Sequence, residues 1–178
     1  MPKCLVCLVY RYGYNEVMAN INSSHKLPSV LSGVAGEYYV AAELTAKGYI
    51  ASITLRNTKG VDILCSNSDA TKSVAIQVKT NRRSARDWML NKKSEEYFAD
   101  NLFYVFVNLH ESAQPPDYFV VPSEVVAKHA KDGHKQWRTT PGKQGQEHND
   151  TTMRKFSDKD EVYLNRWDLL GLQDNAKS

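Results

Sequence analysis

Two strand-like runs, residues 61–65 (VDILC) and 73–80 (SVAIQVKT), are separated by a polar stretch, 66–72, that reads as a hairpin turn. Pairing them constrains the rest of the chain, because successive side chains of a strand point to opposite faces. In the first run Asp62 falls on one face and Val61 with Ile63 on the other. In the second, Val74, Ile76 and Val78 point one way, Gln77 and Lys79 the other. A Gln and a Lys two apart at the end of an apolar strand are by themselves an ordinary polar face. The hairpin gives them more meaning: it brings the Asp62 strand alongside, so that three polar side chains converge on one patch.

A helix is expected over residues 29–47, opened by Pro28 and Ser29 and stopped by Gly48. Val30, Val34, Ala41 and Leu44 recur at the spacing of one buried stripe. Glu37 falls inside that stripe, whereas Glu43 and Lys47 fall on the polar side. A carboxylate turned toward a core is costly unless a cation compensates it. The alternative, a carboxylate at the edge of the stripe reaching solvent, fits this helix equally well. In the first case the helix covers the patch made by the hairpin.

The chain of 178 residues is long enough for one domain with a proper core. Further strands are expected at 50–55, at 101–109 (NLFYVFVNL, a central strand) and at 118–121. Residues 94–99 read as a short helical piece, and Pro122-Ser123 start a helix to about residue 130. A basic polar segment occupies 81–93, and residues 131–155 read as a long loop. Ser157 with Asp160 suggests a capping box for a C-terminal helix, with Tyr163, Trp167 and Leu170 on one face and Gly171 at its end. This gives an extension without regular structure over 1–24, a core over 25–130, and a basic loop with a C-terminal helix over 131–178. Met18 is a candidate natural start. Cys4 and Cys7 form a lone CxxC without a second ligand pair, which reads as buried or incidental thiols, and Cys65 reads as core. With an odd number of cysteines and no apolar run long enough to span a bilayer, a reduced, cytoplasmic protein away from membranes is expected.

The ordered set of Glu37, then Gly60-Val61-Asp62-Ile63-Leu64, then Ile76-Gln77-Val78-Lys79, resembles the PD-(D/E)xK nuclease superfamily. The resemblance covers roughly residues 30–80. It implies an α/β fold with a restriction-endonuclease-like three-layer αβα core, its mixed sheet of four to five strands flanked by helices. Val61 stands where the family name has Pro. Gln77 stands where Asp or Glu is usual, as in the QxK variant of Mrr-like nucleases, and removes one negative charge from the site. By the same resemblance, Asp62, Gln77, the Val78 carbonyl and Glu37 hold a hard divalent cation, Mg²⁺ or alternatively Mn²⁺. Lys79 orients and deprotonates the attacking water and stabilises charge on the phosphate. The implied reaction is hydrolysis of a phosphodiester, in DNA before RNA. A catalytically inactive module that binds nucleic acid or protein is the competing expectation, with Gln77 as its support.

Net charge is only +3, so a nucleic-acid surface must be argued from where the cations sit. Arg82, Arg83, Arg86, Lys92 and Lys93 follow Lys79 directly and are suited to phosphate contacts. Trp88, among them, reads as packing rather than as a base-stacking surface. A second run, Lys128, Lys131, His134, Lys135, Arg138 and Lys143, is equally well a solvated surface. His129, His134 and His148 are not spaced as a metal set, and Glu95 with Glu96 are expected to face water. A homodimer is compatible with the apolar residues of the C-terminal segment.

Overall fold

Backbone pairing in the computed structural model follows the hairpin expected from the sequence. The structure describes residues 28–55, 60–82, 85–110 and 114–173. The expectations for residues 1–24, for Met18 and the CxxC pair, and for Arg83 lie outside these. The chain divides into two units, Met1–Leu31 and Ser32–Ser178, and the second carries everything that follows except the first residues of one helix. Strand β2 (Ile63–Ser66) pairs antiparallel with β3 (Ser73–Asn81), Ile63 opposite Ile76. Their turn is held by side chains: Asp69 Oδ1 accepts from the Thr71 amide and hydroxyl, and Asn67 Oδ1 from the Lys72 amide. Strand β1 (Ile50–Ile53) adds antiparallel to β2.

A two-stranded ribbon lies outside the main sheet: β4 (Asp87–Asn91) paired antiparallel with β7 (Met153–Ser157). After β4 and a 3-10 turn at Lys92–Glu95, β5 (Leu102–Asn108) lies parallel to β3, and β6 (Asp117–Pro122) antiparallel to β5. The main sheet is therefore mixed, in the order β1-β2-β3-β5-β6. All seven residues of β5 are buried, which is why its sequence is a nearly unbroken apolar run.

The two faces of the sheet have separate cores. On one, Val74, Ile76 and Val78 of β3 join Ile63, Cys65 and the odd-numbered residues of β5, covered by Val40 and Leu44 of α1 (Ser29–Ala46). Burial here pushes the Cys65 thiol up to about 11. On the other face Tyr104, Phe106, Phe119 and Val121 pack with Trp88 and Leu90 of β4, Phe156 of β7, and Val126 and Ala130 of α2 (Ser123–Thr139). Trp88 is packing material, 2% exposed, its ring against Phe106 and Phe119. The layers are α1, sheet, and α2 with its ribbon. Among the described residues no helix is long and apolar enough to cross a membrane.

Several local expectations need correction. Within residues 81–93 lies β4, and residues 131–155 are not one loop: α2 continues to Thr139 and β7 begins at Met153. The C-terminal helix is only a 3-10 turn, Trp167–Leu170, closed by Gly171 at φ 64°. Ser157 ends a strand instead of capping a helix. Left-handed residues at Glu161 (φ 57°) and Asn165 (φ 54°) interrupt any helix between them. The segment instead wraps the β6 edge, with the Val120 amide donating to Tyr163 O and the Asn165 amide to Tyr118 O. Tyr163 consequently joins the α2-side core while Trp167 and Leu170 join the α1-side core.

The buried stripe of α1 also differs from its pattern. Ser32, Gly36, Val40 and Leu44 are buried, Val34 and Ala41 only half-buried, and Val30 is 61% exposed. Small residues let the helix lie close to β3: a Cβ on Gly36 would sit 1.9 Å from Thr80 Oγ1 and 3.0 Å from Thr80 Cβ. Gly36→Ala gains up to about 1 kcal/mol of helix propensity. Overpacking against a strand costs about 1–3 kcal/mol. A net loss of about 1–2 kcal/mol is expected, a fall in Tm of roughly 2–8 °C by calorimetry. Thr80 Oγ1 is buried without a partner among the described residues, so Thr80→Ala should sacrifice no hydrogen bond and should relieve most of the Gly36→Ala defect.

Candidate active site

Asp62 stands just before β2, where the ladder with β3 is about to end. Its amide donates to Ile76 O at 2.8 Å, and the Val78 amide donates to its carboxylate Oδ2 at 2.7 Å. The side chain thus takes the acceptor place that a further ladder residue would fill, and β3 fixes its orientation. Toward β1, the Thr54 amide and hydroxyl donate to Asp62 O and Val61 O, at 2.9 and 2.6 Å. Among the described residues nothing donates to Asp62 Oδ1. Gly60 precedes this corner at φ 69°, and a Cβ there would meet the Tyr97 ring at 2.6 Å. Both the backbone conformation and the close ring call for glycine.

Gln77 and Lys79 project from β3 on the face away from α1, both half-buried. They line a cavity of about 640 Å³ together with Gly60, Tyr97, Tyr104 and Lys93. Asn91 and Ser94, from the end of β4 and the 3-10 turn, complete the wall. The parallel register sets Tyr104 directly beside Gln77. Its hydroxyl is pushed up to about 12, by burial first and then by Tyr97 and Asp62, so it stays a protonated donor. Tyr97, Tyr104, Asn91 and Ser94 carry no signal in the sequence that marks them as site residues. Once β3 and β5 are known to be parallel, period-two alternation does place Tyr104 on the Gln77 face.

Electrostatics bring the acids to the lysine. The Lys79 ammonium is pushed below its ordinary value of 10.5 by burial, opposed by the negative charges of Asp62 and Glu37. Glu37 is half-buried, next to Gly36 at the close approach to Thr80. The helix that carries it covers the opposite face of the sheet, not the Gln77/Lys79 patch, which the 3-10 turn and Tyr97 border instead. Glu37 therefore sits beside its stripe, close enough to act on Lys79.

The potential cation ligands are all oxygen: the carboxylates of Asp62 and Glu37, the Gln77 amide and the Val78 carbonyl. In kind they suit a hard divalent cation. Among the described residues no group of three or more His, Cys, Asp or Glu side chains could hold a metal, so a cation here would rely on the Gln77 amide and backbone oxygens as well as on carboxylates.

The cations expected after Lys79 are dispersed. Lys93 lines the cavity, whereas Arg86 is ion-paired with Glu161, and Lys92 stands 3.9 Å from Asp150. Arg82 is half-buried at the end of β3. Glu95 does not face water as expected: it is half-buried and paired with Arg154.

The mixed sheet between its helical layers is a restriction-endonuclease-like α/β fold. Among solved structures, a bacterial homing endonuclease, I-Ssp6803I, is similar with a TM-score of 0.50 at 11% identity, over 81% of this chain and 92% of that one. Hjc, a Holliday junction resolvase from the archaeal hyperthermophile Archaeoglobus fulgidus, matches with a TM-score of 0.46 at 14% identity, over 80% of this chain and 98% of that one. No protein-family model and no curated protein sequence matches the chain.

Proposed function

We infer that the protein is a metal-dependent endonuclease hydrolysing phosphodiester bonds in DNA, with Glu37, Asp62, Gln77 and Lys79 as its site. The observation that carries this is Asp62, fastened to the β3 backbone one residue from the half-buried Lys79, whose ammonium is held up against burial by the charges of Asp62 and Glu37. The similar homing endonuclease is a nuclease of the same fold. A bound Mg²⁺ or Mn²⁺ would supply charge neutralisation at the phosphate and a water of lowered pKa. Asp62, with Glu37, the Gln77 amide oxygen and the Val78 carbonyl, would hold it. Lys79, its ammonium destabilised by burial, can orient a water at Nζ, take its proton, and in its charged form stabilise the phosphate. Tyr104 keeps its proton and offers a donor beside Gln77. Lys93 of the cavity, and Arg82, Arg83, Arg86 and Lys92 near it in the sequence, are the cations from which phosphate contacts would be drawn.

The test is incubation of the purified protein with plasmid, branched DNA and RNA in Mg²⁺, Mn²⁺ or EDTA. Cleavage of DNA that EDTA abolishes is expected. Lys79→Arg keeps the positive charge but is not deprotonated in this range, so cleavage by it should be lost as it is by Lys79→Ala. Having two acids instead of three at the site favours a second reading, an inactive nucleic-acid- or protein-binding module. Binding without cleavage of any substrate in either metal would establish that one. Gel filtration of the same preparation reads whether the protein is a homodimer.

A further inference from the structure

As far as Arg138 the basic run after Ala130 lies on α2 and not in a loop. Lys131, Lys135 and Arg138 stand at i, i+4 and i+7 of α2 and share one side. They line a cleft of about 450 Å³ together with Lys92 from the 3-10 turn. The two carboxylates of this cleft are already engaged: Glu95 with Arg154, and Asp150 with His134 Nε2 at 2.8 Å. Lys131 and Lys135 have no ion-pair partner among the described residues, and Arg138 bears on Asp150 only through space. Cations on one helix face repel each other, so folding alone gives no reason for them. The 3-10 turn contributes to both cavities: Lys92 lines this cleft, and its chain neighbour Lys93 lines the Gln77/Lys79 cavity. Seven helical steps span about 10 Å, and one strand of duplex presents a phosphate about every 3.4 Å along its axis. Three successive phosphates fit that interval.

We propose that this cleft is a second contact surface for the substrate, gripping nucleic-acid backbone on α2 while the Lys79 cavity holds the bond to be cut. The proposal rests on the nuclease reading above. Its test is fluorescence anisotropy of a short labelled DNA duplex in EDTA across a salt series, alongside cleavage kinetics in Mg²⁺. Lys131→Gln/Lys135→Gln/Arg138→Gln is compared with Lys47→Gln/Lys72→Gln/Lys159→Gln, which removes the same charge elsewhere. For the cleft variant, Kd should rise at least about tenfold and the salt slope should fall by roughly 2–3, near 0.9 for each phosphate no longer neutralised. Its KM should rise while kcat stays near the parent value and circular dichroism is unchanged. The control should bind like the parent. Equal weakening by both variants, or none by the cleft variant, overturns the proposal and leaves the nuclease reading standing. A parent that neither binds nor cuts nucleic acid overturns both.

Discussion

Asp62→Asn is expected to lower metal-dependent cleavage by at least about 10²–10³-fold, the scale on which one preorganised electrostatic group acts, with Tm close to that of the parent. Asparagine has nearly the same shape, and its amide oxygen can still accept from the Val78 amide now 2.7 Å from Oδ2. The strand corner should therefore survive. What disappears is one of the two negative charges acting on Lys79, and with it the best oxygen for a divalent cation. The sign of the electrostatic consequence is fixed: Asp62 raises the Lys79 pKa against burial, so its removal lowers that pKa further. If Asp62 served only to tune Lys79, Asp62→Asn would move the pH–rate profile toward acid and keep the plateau. If it holds the cation, the rate is lost across the whole profile and extra Mn²⁺ recovers little of it. The second pattern is expected. Retention of cleavage within tenfold at any pH, in a correctly folded variant, would remove Asp62 from the site.

The corner around Asp62 was legible because its signal is local. Val74, Ile76 and Val78 alternate with Gln77 and Lys79, and only one hairpin register keeps every branched residue inside. The α1 stripe misled because its key contact uses no large apolar residue: Gly36 and Ser32 are buried by proximity, and Thr80, which makes Gly36 necessary, is forty-four positions away. Residues 157–171 misled for the opposite reason. Tyr163, Trp167 and Leu170 do recur at helical spacing, yet the segment crosses a sheet edge and gives them to different cores. The β4–β7 ribbon was hidden by its polar residues, which outnumber the buried Trp88, Leu90 and Phe156. The cavity wall went unseen with it, since Asn91 and Ser94 acquire their positions only from that ribbon.

The same ribbon carries the largest stability effect we expect. Arg154 of β7 falls in the stretch whose polarity suggests a loop, yet its side chain is 2% exposed and its partner Glu95 14%. Its Nε donates to Glu95, and its Nη1 to Thr151 O and Met153 O at 2.6 and 2.9 Å. The pair fastens the 3-10 turn bearing Lys93 and Ser94 to β7, and so holds one wall of the candidate active site. Glu95→Ala strands a buried guanidinium, which cannot shed its proton. That should cost about 3–5 kcal/mol, a fall of roughly 6–20 °C in Tm for a chain of this size. Arg154→Met is expected to cost less, about 1–3 kcal/mol, because the remaining carboxyl is nearer water and can be protonated. Joining Glu95→Leu to Arg154→Met removes both charges and should recover much of the loss, since apolar replacements of buried pairs are often tolerated. Urea denaturation of the three variants reads this order directly. If Glu95→Ala proves no worse than Arg154→Met, water reaches the guanidinium and the pair is not what holds the wall. If the expected order holds, cleavage by the double variant then asks whether that wall needs the ion pair itself or only its firmness.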